Sequence, residues 1–298
     1  MTEVFYTDKS RVRASFDKAA QHYDEAAVLQ REVAVRMGER LDYIKVAPRL
    51  ILDAGSGTGE SAAALRRRYP EARVVELDLA HGMLSVSREK VRRGAGLLGR
   101  WFGKDPWMTC GDLEALPLAD NSVDMIWSNL AIQWVNIPDR VFAEFRRVLK
   151  PQGMLMFSTL GPDTLTELRQ AFAAVDSASH VNRFIDMHDL GDALLKGGFA
   201  EPVMDMEKIV MTYPDAKAVM RDLKSIGAHN AMAGRPRGLT GKRAWQTAVD
   251  AYEVFRKDGK LPATYEVVYG HAWKSESSRK GAVLPDGRQV IEFIKKPN

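Results

Sequence analysis

The chain of 298 residues has one cysteine, Cys110. An internal disulfide framework is therefore excluded, and a reducing compartment, the cytoplasm, is expected. No apolar run reaches membrane-spanning length, so no membrane association is expected. The segment Met1 to Asp8 lacks the apolar stretch of a secretory leader and is too acidic for a transit peptide. Charge of one sign is not in large excess: 43 basic against 39 acidic residues leave +4, too little to argue for a nucleic-acid partner. No catalytic triad is legible and no metal-ligand set is expected. With no histidine pattern near it, Cys110 reads as a buried strand residue rather than a nucleophile. A hydrophobic content of 45% and a charged content of 28% fit a globular protein with one large domain, or a core and a cap.

What is present is an alternation of short apolar runs with helical periodicity. Strands are expected at Ile51–Ala54, Ala72–Asp78, around Cys110, at Val123–Leu130 and at Gly153–Thr159, with helices over 59–68, 80–93 and 138–149 between them. That order predicts an α/β fold, a doubly wound and mostly parallel sheet. Residues 8–42 read as helix, interrupted near Tyr23-Asp24. Gly94 to Asp105 reads as a surface loop. Helices follow over 163–175, with Asp163 or Thr164 as cap, and over 187–196, ended by Gly197-Gly198. A sixth strand is expected at 200–213, a mostly helical and basic insertion at 215–258, and a last strand at 262–274. A polar tail follows, with Asp286-Gly287 as a hairpin turn. The expected units are an N-terminal helical lid (1–47), a core (48–214), a helical insertion (215–261) and a last strand with its tail (262–298).

The most informative stretch is Asp53-Ala54-Gly55-Ser56-Gly57-Thr58-Gly59. Glycines there let the backbone take positive φ and approach a ligand. The spacing is one residue tighter than the dinucleotide fingerprint. Asp53 precedes the first glycine by two residues. A carboxylate there would repel a pyrophosphate and suit a cofactor with positive charge beside its own carboxylate. S-adenosylmethionine, with an ammonium and a sulfonium, is such a cofactor. Asp78, at the end of the second strand, stands where an acceptor for a ribose diol is expected.

The order and intervals of these elements resemble class I S-adenosylmethionine-dependent methyltransferases over about residues 45–160. The resemblance implies Asp53, Gly55, Ser56, Gly57 and Gly59 around the methionine part, and Asp78 with Leu79 at the ribose. It implies Asp112 and Leu113 at the adenine, and Asn129 at the end of the fourth strand. Met83 reads equally as an adenine contact or as a core residue.

Outside the core, Phe16-Asp17-Lys18-Ala19-Ala20-Gln21-His22-Tyr23-Asp24 and Val28-Leu29-Gln30-Arg31 resemble the malonyl-acyl-carrier-protein O-methyltransferase family of biotin synthesis. So do Ser128 to Trp134, Thr164 to Leu168, His180 to Phe184 and Asp222 to Ala228. Ser56 departs from the cysteine common in that family. The resemblance implies methyl transfer to the free carboxylate of a malonyl thioester. Such a carboxylate is ionised at neutral pH and needs no general base. The expected task is in-line positioning in a dry pocket.

Arg183 is the first candidate to hold that carboxylate, with a surface salt bridge as its other reading. Tyr23 and Trp134 read as pocket walls or as packing aromatics. An acidic acyl carrier protein is the implied partner, and Lys217, Arg221, Lys224, Arg235, Arg237, Lys242 and Arg243 are the candidate docking cations. The C-terminal half also resembles a complex I assembly factor that keeps this fold and hydroxylates an arginine. Tyr213-Pro214, Asp222-Leu223, Pro262 to Tyr265 and Ala272-Trp273-Lys274 carry that likeness. A small-molecule methyltransferase is a further alternative.

Overall fold

The computed structural model describes residues 6–94, 106–228, 230–232 and 241–275. The chain opens with α1 (Lys9–Ala19), α2 (Tyr23–Ala26) and α3 (Val28–Arg40), followed by β1 (Leu50–Ala54), α4 (Glu60–Arg68), β2 (Arg73–Asp78) and α5 (His81–Gly94). Next come β3 (Trp107–Cys110), β4 (Val123–Asn129), α6 (Pro138–Val148), β5 (Leu149–Leu160), α7 (Thr166–Ala173) and α8 (Met187–Lys196). The last described elements are β6 (Phe199–Tyr213), α9 (Ala216–Ser225), α10 (Lys242–Glu253) and β7 (Leu261–Lys274).

The strands form one seven-stranded sheet in the order β3-β2-β1-β4-β5-β7-β6. All neighbours are parallel except β7, which runs antiparallel to both β5 and β6. The mostly parallel, doubly wound architecture expected from the sequence is therefore present. Successive side chains of a strand point to opposite faces. Ile51, Val74, Met125, Met154 and Met156 accordingly join one core with Val33 and Met37 of α3 and Leu65 of α4. Leu52, Val75, Ile126, Leu155 and Phe157 join the other, with Phe142 and Phe145 of α6 and Leu194 of α8. Both faces are covered, which is why these strands are apolar nearly throughout.

Local chemistry sets several boundaries. Asp8, Asp186 and Asp215 cap α1, α8 and α9 by accepting from Arg11, His188 and Ala218 N–H groups. Pro138 opens α6 at a position where a missing N–H costs nothing. The helix over 163–175 is shorter than expected, and neither Asp163 nor Thr164 caps it. The Thr164 hydroxyl donates to the Glu266 carbonyl, and Asp163 pairs with Lys208. Leu165 precedes the helix with φ at 54°.

Cys110 is exposed rather than buried, because β3 is an edge strand of four residues. The expected loop at 94–105 lies outside the described residues apart from Gly94, as does the tail beyond Ser275 with its Asp286-Gly287 turn. No helix among the described residues is long and apolar enough to cross a membrane.

Candidate cofactor and acyl-group cavity

The strand order reverses between β1 and β4, and the carboxyl ends of these strands open a crevice there. The Asp53–Gly59 loop sits at that point. Gly55 and Gly59 have φ of +85° and +82°. A β-carbon on Gly55 would lie 2.3 Å from Ala131 Cβ, and one on Gly59 would lie 2.0 Å from Ser87 Oγ. The loop N–H groups are engaged within the protein. Those of Gly55 and Ser56 donate to the Leu77 carbonyl, and that of Gly57 to Asp78 Oδ2 at 2.9 Å. A loop whose donors are so committed is poorly suited to a pyrophosphate, which needs them free.

A cavity of about 260 Å³ extends from this loop. Gly55, Gly57, Asp78, Leu79, Met83, Asp112, Leu113 and Asn129, all named from the sequence as cofactor candidates, line it. Tyr23 and Trp134 line it too. Asp53, Ser56 and Gly59 do not. Asp53 lies beside Glu76 in the β1–β2 register, on the face covered by α4 rather than at the strand end. Among the described residues its oxygens have no hydrogen-bond partner, and burial, then the charges of Glu76 and Asp78, hold its pKa well above the usual carboxylate range. Glu76 is in turn engaged by Arg66 and Ser87. Of Asp53, Glu76 and Asp78, it is Asp78 that lines the cavity.

The Asp78 oxygens accept from Gly57 N at 2.9 Å and Ala80 N at 2.8 Å, leaving further lone pairs toward the cavity. Burial raises its pKa to about 6, against those two hydrogen bonds. Met83 is fully buried against Ala20 and Ala80, and it shares the wall with Leu79 and Leu113. That apolar slot beside a carboxylate suits a base and its ribose.

The cover combines Tyr23 and Trp134, expected as pocket walls, with residues the sequence did not single out. Phe16 meets Trp134 edge-on at 5.3 Å between centroids and Tyr23 at 6.3 Å. Burial, then the charges of Asp78 and Asp24, pushes the Tyr23 phenol upward, so it stays neutral. Lys9 bridges Asp112 at 2.6 Å and Glu114 at 2.9 Å. Gly82 N donates to Asp17 Oδ1 at 2.7 Å, and Thr7 exchanges two hydrogen bonds with Asn136. These contacts hold α1 and α2 over the crevice. Nothing local to Lys9, Phe16 or Gln30 marks them as cavity residues.

The far wall comes from Leu160, Leu165, Leu168, Phe184, Met220 and Leu223, with His180, Asn182, Lys224, Asn230 and Tyr265 as its polar members. Arg183 is exposed and is not part of the wall, although its neighbours Asn182 and Phe184 are. Its charge reaches Arg169, whose own pKa is lowered by burial and then by Arg183. Of the docking candidates, Lys217, Arg221, Lys224, Lys242 and Arg243 are all exposed. Arg235 and Arg237 lie outside the described residues.

The residues present fit S-adenosylmethionine. Asp78 offers acceptors for a ribose diol, and Met83 and Leu113 offer an apolar slot. Gly55 lets the loop approach Ala131 of the cavity wall more closely than a β-carbon would allow, and Gln30 presents a buried amide oxygen with no partner among the described residues. A methyltransferase-domain family matches residues 52–157. A solved structure, the YcgJ protein of Bacillus subtilis, superposes over 81% of this chain and 98% of its own with a TM-score of 0.56 at 16% identity, a likeness of fold alone.

Sequence relatives reach further. The chain is 65% identical over 293 residues to a malonyl-acyl-carrier-protein O-methyltransferase of Laribacter hongkongensis, covering 98% of each. It is 57% identical to one from Gallionella capsiferriformans, covering 94% of this chain and 96% of the relative. The hydroxylase-like and small-molecule readings are not favoured by such relatives. Identity at this level along nearly the whole of both chains places the protein in the malonyl-acyl-carrier-protein O-methyltransferase family.

Proposed function

We propose that the protein is a S-adenosylmethionine-dependent methyltransferase that esterifies the free carboxylate of a malonyl group carried as a thioester on an acidic acyl carrier protein. The observation that carries this reading is one continuous cavity, joining the Asp78 end of the sheet to an apolar chamber under α7 and α9, in a chain of that family. When bound, S-adenosylmethionine supplies an electrophilic methyl group on a sulfonium. The acceptor carboxylate is already ionised at neutral pH, so the site needs no base to activate it. The neutral Tyr23 phenol is accordingly a wall and a hydrogen-bond donor, not a proton acceptor.

The chain's residues serve to bind, align and exclude water. Phe16, Tyr23 and Trp134 close the crevice between its two ends. Attack of an anion on a cation cancels charge, and an apolar enclosure favours that change over hydrated reactants. Alignment supplies the remainder. Lys224 is the wall residue best suited to orient the malonyl carboxylate. Of the two other basic side chains in the wall, Lys9 is neutralised by Asp112 and Glu114, and His180 is bonded to Asp176 and stacked on Phe172. Arg183, with Arg169, adds positive charge to the exposed rim.

Lys217, Arg221 and Lys224 recur at i, i+4 and i+7 along α9 and share its exposed face, with Lys242 and Arg243 at the start of α10. That face suits an acidic carrier. Incubation with methyl-labelled S-adenosylmethionine and malonyl-carrier protein is the direct test. Label on the thioester that mild ester hydrolysis removes supports the reading. Absence of transfer to malonyl-carrier protein and to malonyl-CoA, with the cofactor bound, rejects it.

A further inference from the structure

Gln30 carries an unexplained feature. It sits near the start of α3 and lines the cavity, yet its Oε1 is buried and has no hydrogen-bond partner among the described residues. A buried amide oxygen left without a donor is costly, on the order of 1–3 kcal/mol, and such groups are rare in folded proteins. The position of Gln30 is also not accidental. Asn129 Nδ2 donates to the Gln30 backbone carbonyl at 3.0 Å, and Asn129 Oδ1 accepts from Ser158 Oγ at 2.8 Å. Ser158 Oγ accepts in turn from Leu130 N at 3.0 Å. Three neighbouring segments, the ends of β4 and β5 and the start of α3, are thus tied together at the point where Gln30 meets the cavity. The Asn129 amide is thus engaged through one donor and one acceptor position, with one of each left over.

The cavity has two chemically distinct ends. Asp78, Met83 and Leu113 suit the nucleoside. The opposite end, between Gly55, Asn129 and Gln30, offers an amide tip that carries both a donor and an acceptor. An amino acid's ammonium and carboxylate present the complementary pair. We propose that the Gln30 side-chain amide binds the amino-acid end of S-adenosylmethionine, and that Asn129 is a positioning residue that fixes Gln30 there. The proposal rests on the reading of this cavity as a S-adenosylmethionine site and adds to it a residue and a polarity.

The test compares two ligands by calorimetry. S-adenosylhomocysteine has the amino-acid end, and 5′-methylthioadenosine lacks it. Gln30→Leu removes the amide, and Gln30→Asn withdraws it by one methylene. Each variant is checked first for an unchanged circular dichroism spectrum and melting temperature. In any variant that folds, S-adenosylhomocysteine binds about tenfold or more weaker, the loss expected for a hydrogen bond to a charged group, while 5′-methylthioadenosine changes by less than about twofold. Equal losses for the two ligands would make Gln30 merely structural and overturn the proposal, as would no loss for either. If the unaltered protein binds neither compound, the cofactor reading itself fails, a separate result.

Discussion

Lys9 Nζ lies 2.6 Å from Asp112 Oδ2, joining the first helix to a loop 103 residues further along the chain. The same ammonium meets Glu114 at 2.9 Å. Lys9 and Asp112 both line the cavity, Asp112 beside Leu113, so this pair fastens the cover over the nucleoside end. Lys9→Ala should leave the sheet and its melting temperature little changed, because partly exposed ion pairs contribute only about 1 kcal/mol. S-adenosylhomocysteine should dissociate several-fold faster, and added salt should narrow the difference between variant and parent. Stopped-flow measurements at low and high ionic strength would show this; an unchanged dissociation rate would remove Lys9 from the cover.

Two of the loop glycines, Gly55 and Gly57, should respond unequally to alanine. At Gly55 the new β-carbon would meet Ala131 at 2.3 Å, whereas at Gly57 nothing lies within 4 Å. Gly57→Ala should therefore cost stability only about 1–2 kcal/mol, for its left-handed backbone. Gly55→Ala should lose most binding of S-adenosylhomocysteine, since Ala131 and the cavity wall must move. Chemical denaturation together with calorimetry separates the two, and similar behaviour of both variants would contradict the packing argument.

Asp78 gives the site a pH dependence with a definite sign. Burial raises its pKa to about 6, above the 3.8 of a free side chain. Between those values the folded protein without ligand holds a proton that the unfolded chain releases. This carboxyl therefore adds stability at low pH, and that contribution is lost as pH rises through about 6. A ribose diol donates to the ionised form. Affinity for S-adenosylhomocysteine should consequently fall as pH drops below 6, by up to about tenfold per unit, and level off above 7. Asp78→Asn should bind weakly and show no such slope between pH 5 and 7 in calorimetric titrations.

Leu165 has φ at 54°, a conformation unfavourable for a branched side chain, and it lines the acyl chamber. Its N–H donates to the Thr264 carbonyl at 2.6 Å, beside a loop that Glu266 and Glu167 tie to β7. The backbone is held there at a cost, and the side chain completes the wall. Leu165→Gly should relieve about 1 kcal/mol of strain while raising KM for the malonyl thioester several-fold through the opened chamber. Steady-state kinetics at fixed cofactor would test it, and an unchanged KM would confine Leu165 to a structural role.

Docking at α9 is separable from chemistry. Lys217→Glu with Arg221→Glu should raise KM for malonyl-carrier protein tenfold or more at low salt, with kcat and the KM for malonyl-CoA within about twofold. Equal effects on both substrates would place these residues in the chamber instead of on a docking face.

The contrast between Asp53 and Asp78 shows where sequence reading stops. Both are acids at strand ends near the glycine loop, and the spacing of each was legible. Asp53 is one residue short of the end of β1, and alternation turns it beneath α4 beside Glu76. Asp78 is the last residue of β2 and reaches the crevice. Arg183 illustrates the same limit on the substrate side. Its loop was legible as part of the site, but only folding shows that Asn182 and Phe184 face inward while Arg183 faces out.

The order of strands and helices, the glycine turn, the nucleoside acid and the family signatures follow from local spacing, because backbone geometry repeats over two to four residues. The sequence by itself therefore determined the fold, and the resemblance carried by its signatures gave the methyl donor. The cover formed by Lys9 and Phe16, the unpartnered amide of Gln30 and the outward turn of Arg183 depend on segments far apart in the chain meeting at the β1–β4 crevice. Those were decided by the tertiary structure alone, since side-chain direction and long-range contact carry no local periodic signal.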